Sequence, residues 1–233
     1  MNPIRPVSAS LSSRSLSRRW ALASLLAGGV SVLALGASRA LAAAPEAPDA
    51  LIQRIAAVVI DAIKADPAIQ RGETARVVAL VDREIMPHVN FTRMTASAVG
   101  RFWREATPAQ RQRLQEEFKL LLVRTYSGAL GQVTNETLTL RPLRARPTDA
   151  EVVVRSELRG RGDPIQIDYR MEKTDSGWKI YDLNVLGVWL VETYRTQFAQ
   201  EINAKGIDGL IAALAQRNSS NAAPAAPGAP ARS

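Results

Sequence analysis

The sequence has no cysteine and a single histidine, His88. A disulfide framework, a thiolate metal site and a site built from several imidazoles are therefore excluded. A Ser-His-Asp triad would have to use His88, which follows Pro87 in a connection between helices, and no G-x-S-x-G elbow is present. No G-x-G-x-x-G follows a strand and no G-x-x-x-x-G-K-S/T loop occurs, so nucleotide binding has no support. Carboxylate chemistry stays open, because burial can tune any acid. Asp168 and Glu172 fall on the polar side of a strand and read as solvated surface, whereas Asp182 sits where the alternation breaks.

Long apolar runs are also scarce. Trp20–Ser38 is an uncharged stretch preceded by Arg14, Arg18 and Arg19 and followed by Ala40-Leu41-Ala42. A basic start, an apolar middle and an A-x-A exit predict an export signal over 1–42. An uncleaved anchor is the alternative, weakened by the glycines and serines in the stretch. "SRRWAL" resembles a twin-arginine signal with Ala21 where a bulkier residue is usual, which leaves the export route open. The segment holds five arginines and no acid, so its removal lowers the formal charge from +8 to +3. That balance gives polyanion binding little support. Export without cysteine points to a Gram-negative periplasm. At the other end, 218–233 has no bulky apolar residue and reads as a disordered Ala/Pro-rich tail. One domain, 43–217, is left.

Its first half has helical periodicity. Ile52, Ile55, Val59 and Ile63 recur at helical spacing, and a second helix spans 73–86 before Pro87. Asn90 and Gly100 bracket a short helix. Thr107-Pro108-Ala109-Gln110 is a cap, a first-turn proline and a returning side chain, and it opens a helix bearing Leu114, Phe118, Leu121, Leu122 and Tyr126 on one stripe. The second half has period two: 136–146, Val152 to Leu158, then Ile165, Ile167, Tyr169 and Met171 against Gln166, Asp168, Arg170 and Glu172. In "GWKIYDLNVLGVWLVETYRTQF" (Gly177–Phe198), Trp178 and Ile180 lie on one face and Tyr181, Leu183 and Val185 on the other. Such a break requires a bulge or cover on both faces. Two more helices follow, over Val191 to Ile202 and Ile207 to Leu214. The fold class is α+β, an antiparallel sheet of about four strands backed by N-terminal and C-terminal helices. Arg141, Arg144, Arg146, Arg155, Arg159 and Arg161 cluster among acids, either as a mixed-charge face or as a contact for anionic headgroups or an acidic partner. Without interleaved aromatics the cluster does not suit nucleic acid.

Two segments together, Asn90–Leu130 and Gly177–Phe198, resemble the MlaC family, the toluene-tolerance or auxiliary component of a phospholipid ABC transporter. The specific points are Gly100 with Trp103, the Phe118–Tyr126 helix, Trp178 with Tyr181-Asp182, and Tyr194-Arg195 with Phe198. Asn90 stands where the family usually has Asp, Ala98-Val99 replace a bulkier pair, and Trp189 stands where Ser is usual. The resemblance implies a curved sheet and helices enclosing an apolar cavity for a phospholipid. It also implies a soluble, monomeric periplasmic carrier that needs no cofactor and is not an enzyme. Such a carrier would exchange its cargo between an outer-membrane lipoprotein complex and an inner-membrane ABC transporter complex, maintaining outer-membrane lipid asymmetry. On this reading the tails would be lined by a subset of Phe118, Leu122, Tyr126, Ile167, Tyr169, Met171, Trp178, Tyr181, Leu183, Trp189 and Tyr194, with Arg195 near a phosphate. Two alternatives stay open at this point. One is a small-molecule enzyme using a buried carboxylate such as Asp182, with a raised pKa. The other is a protein-binding scaffold with an exposed apolar patch.

Overall fold

A computed structural model of the chain describes residues 46–130, 136–146, 148–160 and 162–220. The expected export signal lies outside the described residues, as does the tail beyond Ser220.

α1 (Pro48–Ala65) opens with a proline whose missing N–H would have no partner in a first turn, and it buries Leu51, Ile52, Ile55 and Ile63. Asp66 ends it and starts α2 (Pro67–Gln70), its Oδ1 accepting from the Ala68 N–H at 2.9 Å. α3 (Thr74–Leu80) buries Val77 and Leu80. The single helix expected over 73–86 instead widens into a π-helical turn at Val81–Ile85 and tightens into a 3₁₀ turn at Met86–His88. Pro87 is the cause, since its ring clashes with a carbonyl one α-turn back and the chain must leave α geometry before it. Val89 then bridges Ile180 in parallel, and the Asn90 N–H donates to the Ile180 carbonyl at 2.8 Å. Asn90 caps α4 (Phe91–Val99), accepting from the Arg93 N–H at 3.0 Å, and Gly100 at φ 67° ends it.

The capping signature at Thr107 is realised in full before α5 (Pro108–Leu130). Thr107 Oγ1 accepts from the Gln110 N–H at 3.2 Å while Gln110 Oε1 accepts from the Thr107 N–H at 3.0 Å.

The sheet is an antiparallel meander: β1 (Thr137–Leu140), β2 (Glu151–Arg159), β3 (Ile165–Thr174), β4 (Gly177–Val185) and the two-residue β5 (Val188–Trp189), in that spatial order. β1 is shorter than the alternation over 136–146 suggests. The Arg141 N–H still donates to the Arg155 carbonyl at 2.9 Å, and the ladder stops at Pro142, a residue with no N–H to donate. The break in β4 is a bulge. Arg170 lies opposite Asp182 and Met171 opposite Ile180, which leaves Tyr181 without a partner residue. Leu183 and Val185 therefore share a face with Trp178 and Ile180, correcting the two-faced reading, and Tyr181 lies with Asp182 on the other side.

The last two helices form one element, α6 (Leu190–Ser219), broken at Gly206 with φ 72°. The helix also overruns the expected start of the tail. Asn218 is buried and donates its Nδ2 to the Glu117 carbonyl at 2.9 Å and the Glu117 carboxylate at 2.7 Å.

Three apolar clusters hold these elements. α4, α5 and α6 build a helical core around Phe91, Met94, Leu114, Phe118, Tyr194 and Phe198. The first half of α1 packs Leu51, Ile52 and Ile55 on Leu138, Val152, Val154, Met171 and Ile180 of the sheet. Its second half joins α2, α3 and α5 through Ile63, Ile69, Val77, Leu80 and Val123.

Candidate functional site

The sheet register sorts the side chains into two unlike faces. Val152, Val154, Ser156 and Leu158 on β2 stand beside Met171, Tyr169, Ile167 and Ile165 on β3, and these beside Ile180, Leu183 and Val185 on β4. This face meets α1. At its closed end Met171, Val154 and Ile180 are buried against the helix. Leu158, Tyr169, Trp178 and Leu183 are only half-buried around that packing. Farther along, Ile165, Ile167 and Val185 are half-buried without joining any of the three clusters. Apolar surface left half wet on an otherwise packed layer is unusual and suits a greasy ligand.

Leu183 borders both the sheet cluster and the helical core, and from α5 Leu122 and Tyr126 border that core too. The Tyr126 hydroxyl is buried with no hydrogen-bond partner among the described residues, and burial pushes its pKa up. Burial also pushes the Tyr169 phenol up, partly offset by the neighbouring Ser156 hydroxyl.

The other face is polar and closed by ion pairs. Arg93 of α4 reaches across the edge of β4 to pair with Glu172 and, at 2.7 Å, with Glu151. Its guanidinium lies 3.6 Å from the ring centre of Tyr181, whose hydroxyl donates to Glu151 at 2.9 Å. These two donors hold the Glu151 carboxyl below its ordinary value, Arg93 contributing most. Next to them Asp182, 1% exposed, accepts from the Leu183 N–H at 2.8 Å, from the Val191 N–H at 3.1 Å, and from Arg170 at 2.9 Å. Burial pushes its carboxyl up, against those hydrogen bonds.

Asp182 therefore does the work of a helix cap. Trp189 occupies the cap position of α6 and supplies no side-chain acceptor, so an acid from β4 meets the orphan N–H of Val191 instead. Trp189 covers the Arg170 guanidinium at 3.8 Å, the same arginine that pairs with Asp182. A serine at 189 would cap directly; with tryptophan there, Asp182, paired with Arg170, takes that role. Both oxygens of Asp182 are engaged in holding this junction, Oδ1 by two backbone N–H groups and Oδ2 by Arg170.

The residues singled out in the sequence thus separate into three places. Ile167, Tyr169, Met171, Trp178 and Leu183 share the apolar sheet face, although Met171 is fully buried. Phe118 and Tyr194 belong to the helical core, with ring centres 5.0 Å apart, and Leu122 and Tyr126 lie at its margin. Tyr181 and Trp189 stand on the polar face. Arg195 is exposed, lying over Gly100, where an added Cβ would come within 3.4 Å of its Nε. His88 is half-buried, and burial with nearby Arg54 and Lys179 pushes its imidazole down. Sequence reasoning missed Arg93 and Glu151, whose only signal was that Glu151 falls on the same strand face as Arg155, and it missed Ile165 and Val185 at the open end of the apolar face. Among the described residues no cluster of three metal-ligating side chains occurs, and no helix is long and apolar enough to cross a membrane.

The model of the MlaC protein family matches residues 53–216. The toluene tolerance protein ttg2D of Pseudomonas putida is 27% identical over 186 residues, covering 79% of this chain and 86% of that protein. The intermembrane phospholipid transport system binding protein MlaC of Haemophilus influenzae is 22% identical over 182 residues, covering 76% and 85%. Among solved structures, the phospholipid-binding protein of Ralstonia solanacearum, determined in complex with a phospholipid, is 45% identical with a TM-score of 0.72. The match covers 76% of this chain and 98% of that one.

Proposed function

The chain belongs to the MlaC family, and on that footing we propose that it is a phospholipid carrier of the periplasm. It takes up a lipid from one membrane-bound complex and delivers it to another, an outer-membrane lipoprotein complex on one side and an inner-membrane ABC transporter complex on the other, and so maintains outer-membrane lipid asymmetry. It acts as a monomer by binding and release rather than catalysis, with the phospholipid as cargo and no cofactor. The observation that carries this reading is the fold it shares, at 45% identity, with a protein solved holding a phospholipid. The half-buried apolar face supports it, with acyl chains lying along Ile165, Ile167, Tyr169, Leu183 and Val185.

Two acyl chains of about 15 methylenes each, at about 0.8 kcal/mol per methylene, are worth about 24 kcal/mol out of water. A lipid held that way does not leave through solvent on a useful timescale. Delivery requires docking, which joins the apolar face to an apolar path in the recipient. The exposed Leu186 at the β4–β5 turn, beside the open end of that face, is placed to extend such a path.

The test is mass spectrometry of lipids extracted from protein purified from periplasm without detergent. Near-stoichiometric phospholipid is expected. Empty protein that also takes up no lipid from vesicles would overturn the proposal.

A further inference from the structure

The polar face of the sheet carries a groove of about 330 Å³ lined by Arg144, Glu151, Val153, Arg155, Arg170 and Tyr181 among others. The register explains its floor and sides. Val153 lies opposite Arg170, with Glu151 and Arg155 two residues to either side of it along β2. Tyr181, left outside the ladder by the β4 bulge, borders the groove on the far side of β3. Arg144 comes from the connection between β1 and β2. One end of that connection is pinned by the Arg141 N–H on the Arg155 carbonyl, the other by the hydrogen bonds between Arg146 and Asp149. Leu143 packs into the apolar sheet cluster, while its neighbour Arg144 lines the groove on the opposite face.

Charge in this groove is unevenly spent. Glu151 gives one carboxylate oxygen to Arg93 and the other to the Tyr181 hydroxyl. Arg170 uses Nη1 on Asp182, and the rest of its guanidinium has no acceptor among the described residues. Arg155 stands 4.0 Å from Asp168, beyond hydrogen-bond reach, and Asp168 accepts from Gln166 instead. Arg144 has no carboxylate partner among the described residues. By contrast Arg141 and Arg159, from the same sequence cluster, pair with Glu157, and Arg146 pairs with Asp149. The acid lining the groove is thus satisfied, whereas guanidinium donors from three neighbouring segments are not.

We propose that this groove binds a phosphate group. Donors reach it from the β1–β2 connection, from β2 and from β3. A tetrahedral phosphate offers acceptor oxygens in every direction, whereas a planar carboxylate is served by a single guanidinium fork. Val153 and the Tyr181 ring give an apolar surface that can seat a carbon substituent, so a phosphate ester fits as well as the free ion. The bearer of the phosphate is either a soluble molecule or the headgroup of a membrane phospholipid. Ile167, Tyr169 and Leu183 lie on the other face of the sheet, so the site is distinct from the one assigned to cargo chains.

The test is titration of the purified mature protein at fixed ionic strength, read from the amide chemical shifts of Val153, Arg155 and Arg170. The probes are inorganic phosphate and glycerophosphoglycerol, a headgroup phosphodiester without acyl chains. At least one should give saturable shifts with a Kd of about 1 mM or tighter. Tighter binding of inorganic phosphate identifies a soluble bearer, and tighter binding of the diester identifies a headgroup; both support the site. Arg144→Gln, which breaks no described contact, should weaken binding at least about fivefold. Arg104→Gln, outside the groove, removes the same charge and should leave binding unchanged. Saturation by neither phosphate, or equal loss in the two variants, would overturn the proposal. Equal saturation by acetate would overturn it in favour of carboxylates on a partner protein. Neither probe carries acyl chains, so the outcome is separate from that of the carrier test.

Discussion

Tyr126 and Glu151 show how differently a single polar group can sit in this fold. The Tyr126 hydroxyl is buried without a partner among the described residues. Folding pays its desolvation and recovers nothing, so Tyr126→Phe should leave stability unchanged or raise it by up to about 1 kcal/mol in urea unfolding. A loss larger than that would mean the hydroxyl has a partner in solution. Glu151 is the opposite case, held below its ordinary pKa by Arg93 and Tyr181. A depressed carboxylate contributes stability that is present above its unfolded pKa, about 4.3, and lost as pH falls through the lower folded value. Urea midpoints between pH 6 and about 3 should therefore fall on acidification, and Glu151→Gln should flatten part of that fall. An unchanged acid limb would show that the network contributes nothing in solution, as exposed pairs often do.

At the level of elements, α6 depends on the backbone freedom of one residue. Gly206 sits at φ 72° with open space where a side chain would go. Gly206→Ala should cost about 1–3 kcal/mol, all of it backbone strain, and Gly206→Asn as much, because φ 72° with ψ −178° lies outside the left-handed helical region that asparagine tolerates, as thermal unfolding would show. An unchanged midpoint for Gly206→Ala would mean that the kink relaxes to straight helix at no cost. Elements of this kind differ in how far the sequence announced them. α5 was legible because its cap is written in four consecutive residues, and β2 and β3 because one buried face enforces period two. The two halves of α6 were legible as separate stripes, but the overrun to Ser219 was not, because Asn218 is buried by Glu117 about a hundred residues earlier. The β4 bulge showed only as broken alternation. Its direction was set by what each face met, α1 on one side and Arg93 on the other. The same limit applied to the candidate site. Phe118 is apolar on a helical stripe whether it faces a ligand or three other rings, and only the packing of Phe91, Tyr194 and Phe198 around it decides.

For the molecule as a whole, the carrier reading asks that holding and delivering lipid be separable. Leu186 is 52% exposed and is held at φ 53°, where a leucine is strained. Leu186→Asn should raise stability by about 0.5–1 kcal/mol, leave the bound lipid unchanged and slow its transfer to acceptor membranes bearing the partner complex. Equal transfer would place the docking path elsewhere. The interrupted ladder at Pro142 bears on the chain's behaviour toward copies of itself. An open row of backbone donors and acceptors is a template for sheet-to-sheet polymerisation. Between Arg141, bonded to Arg155, and the turn at Arg146–Asp149 the chain runs on beside β2, so this margin is shielded by its own hairpin arm and offers an identical twin no such row.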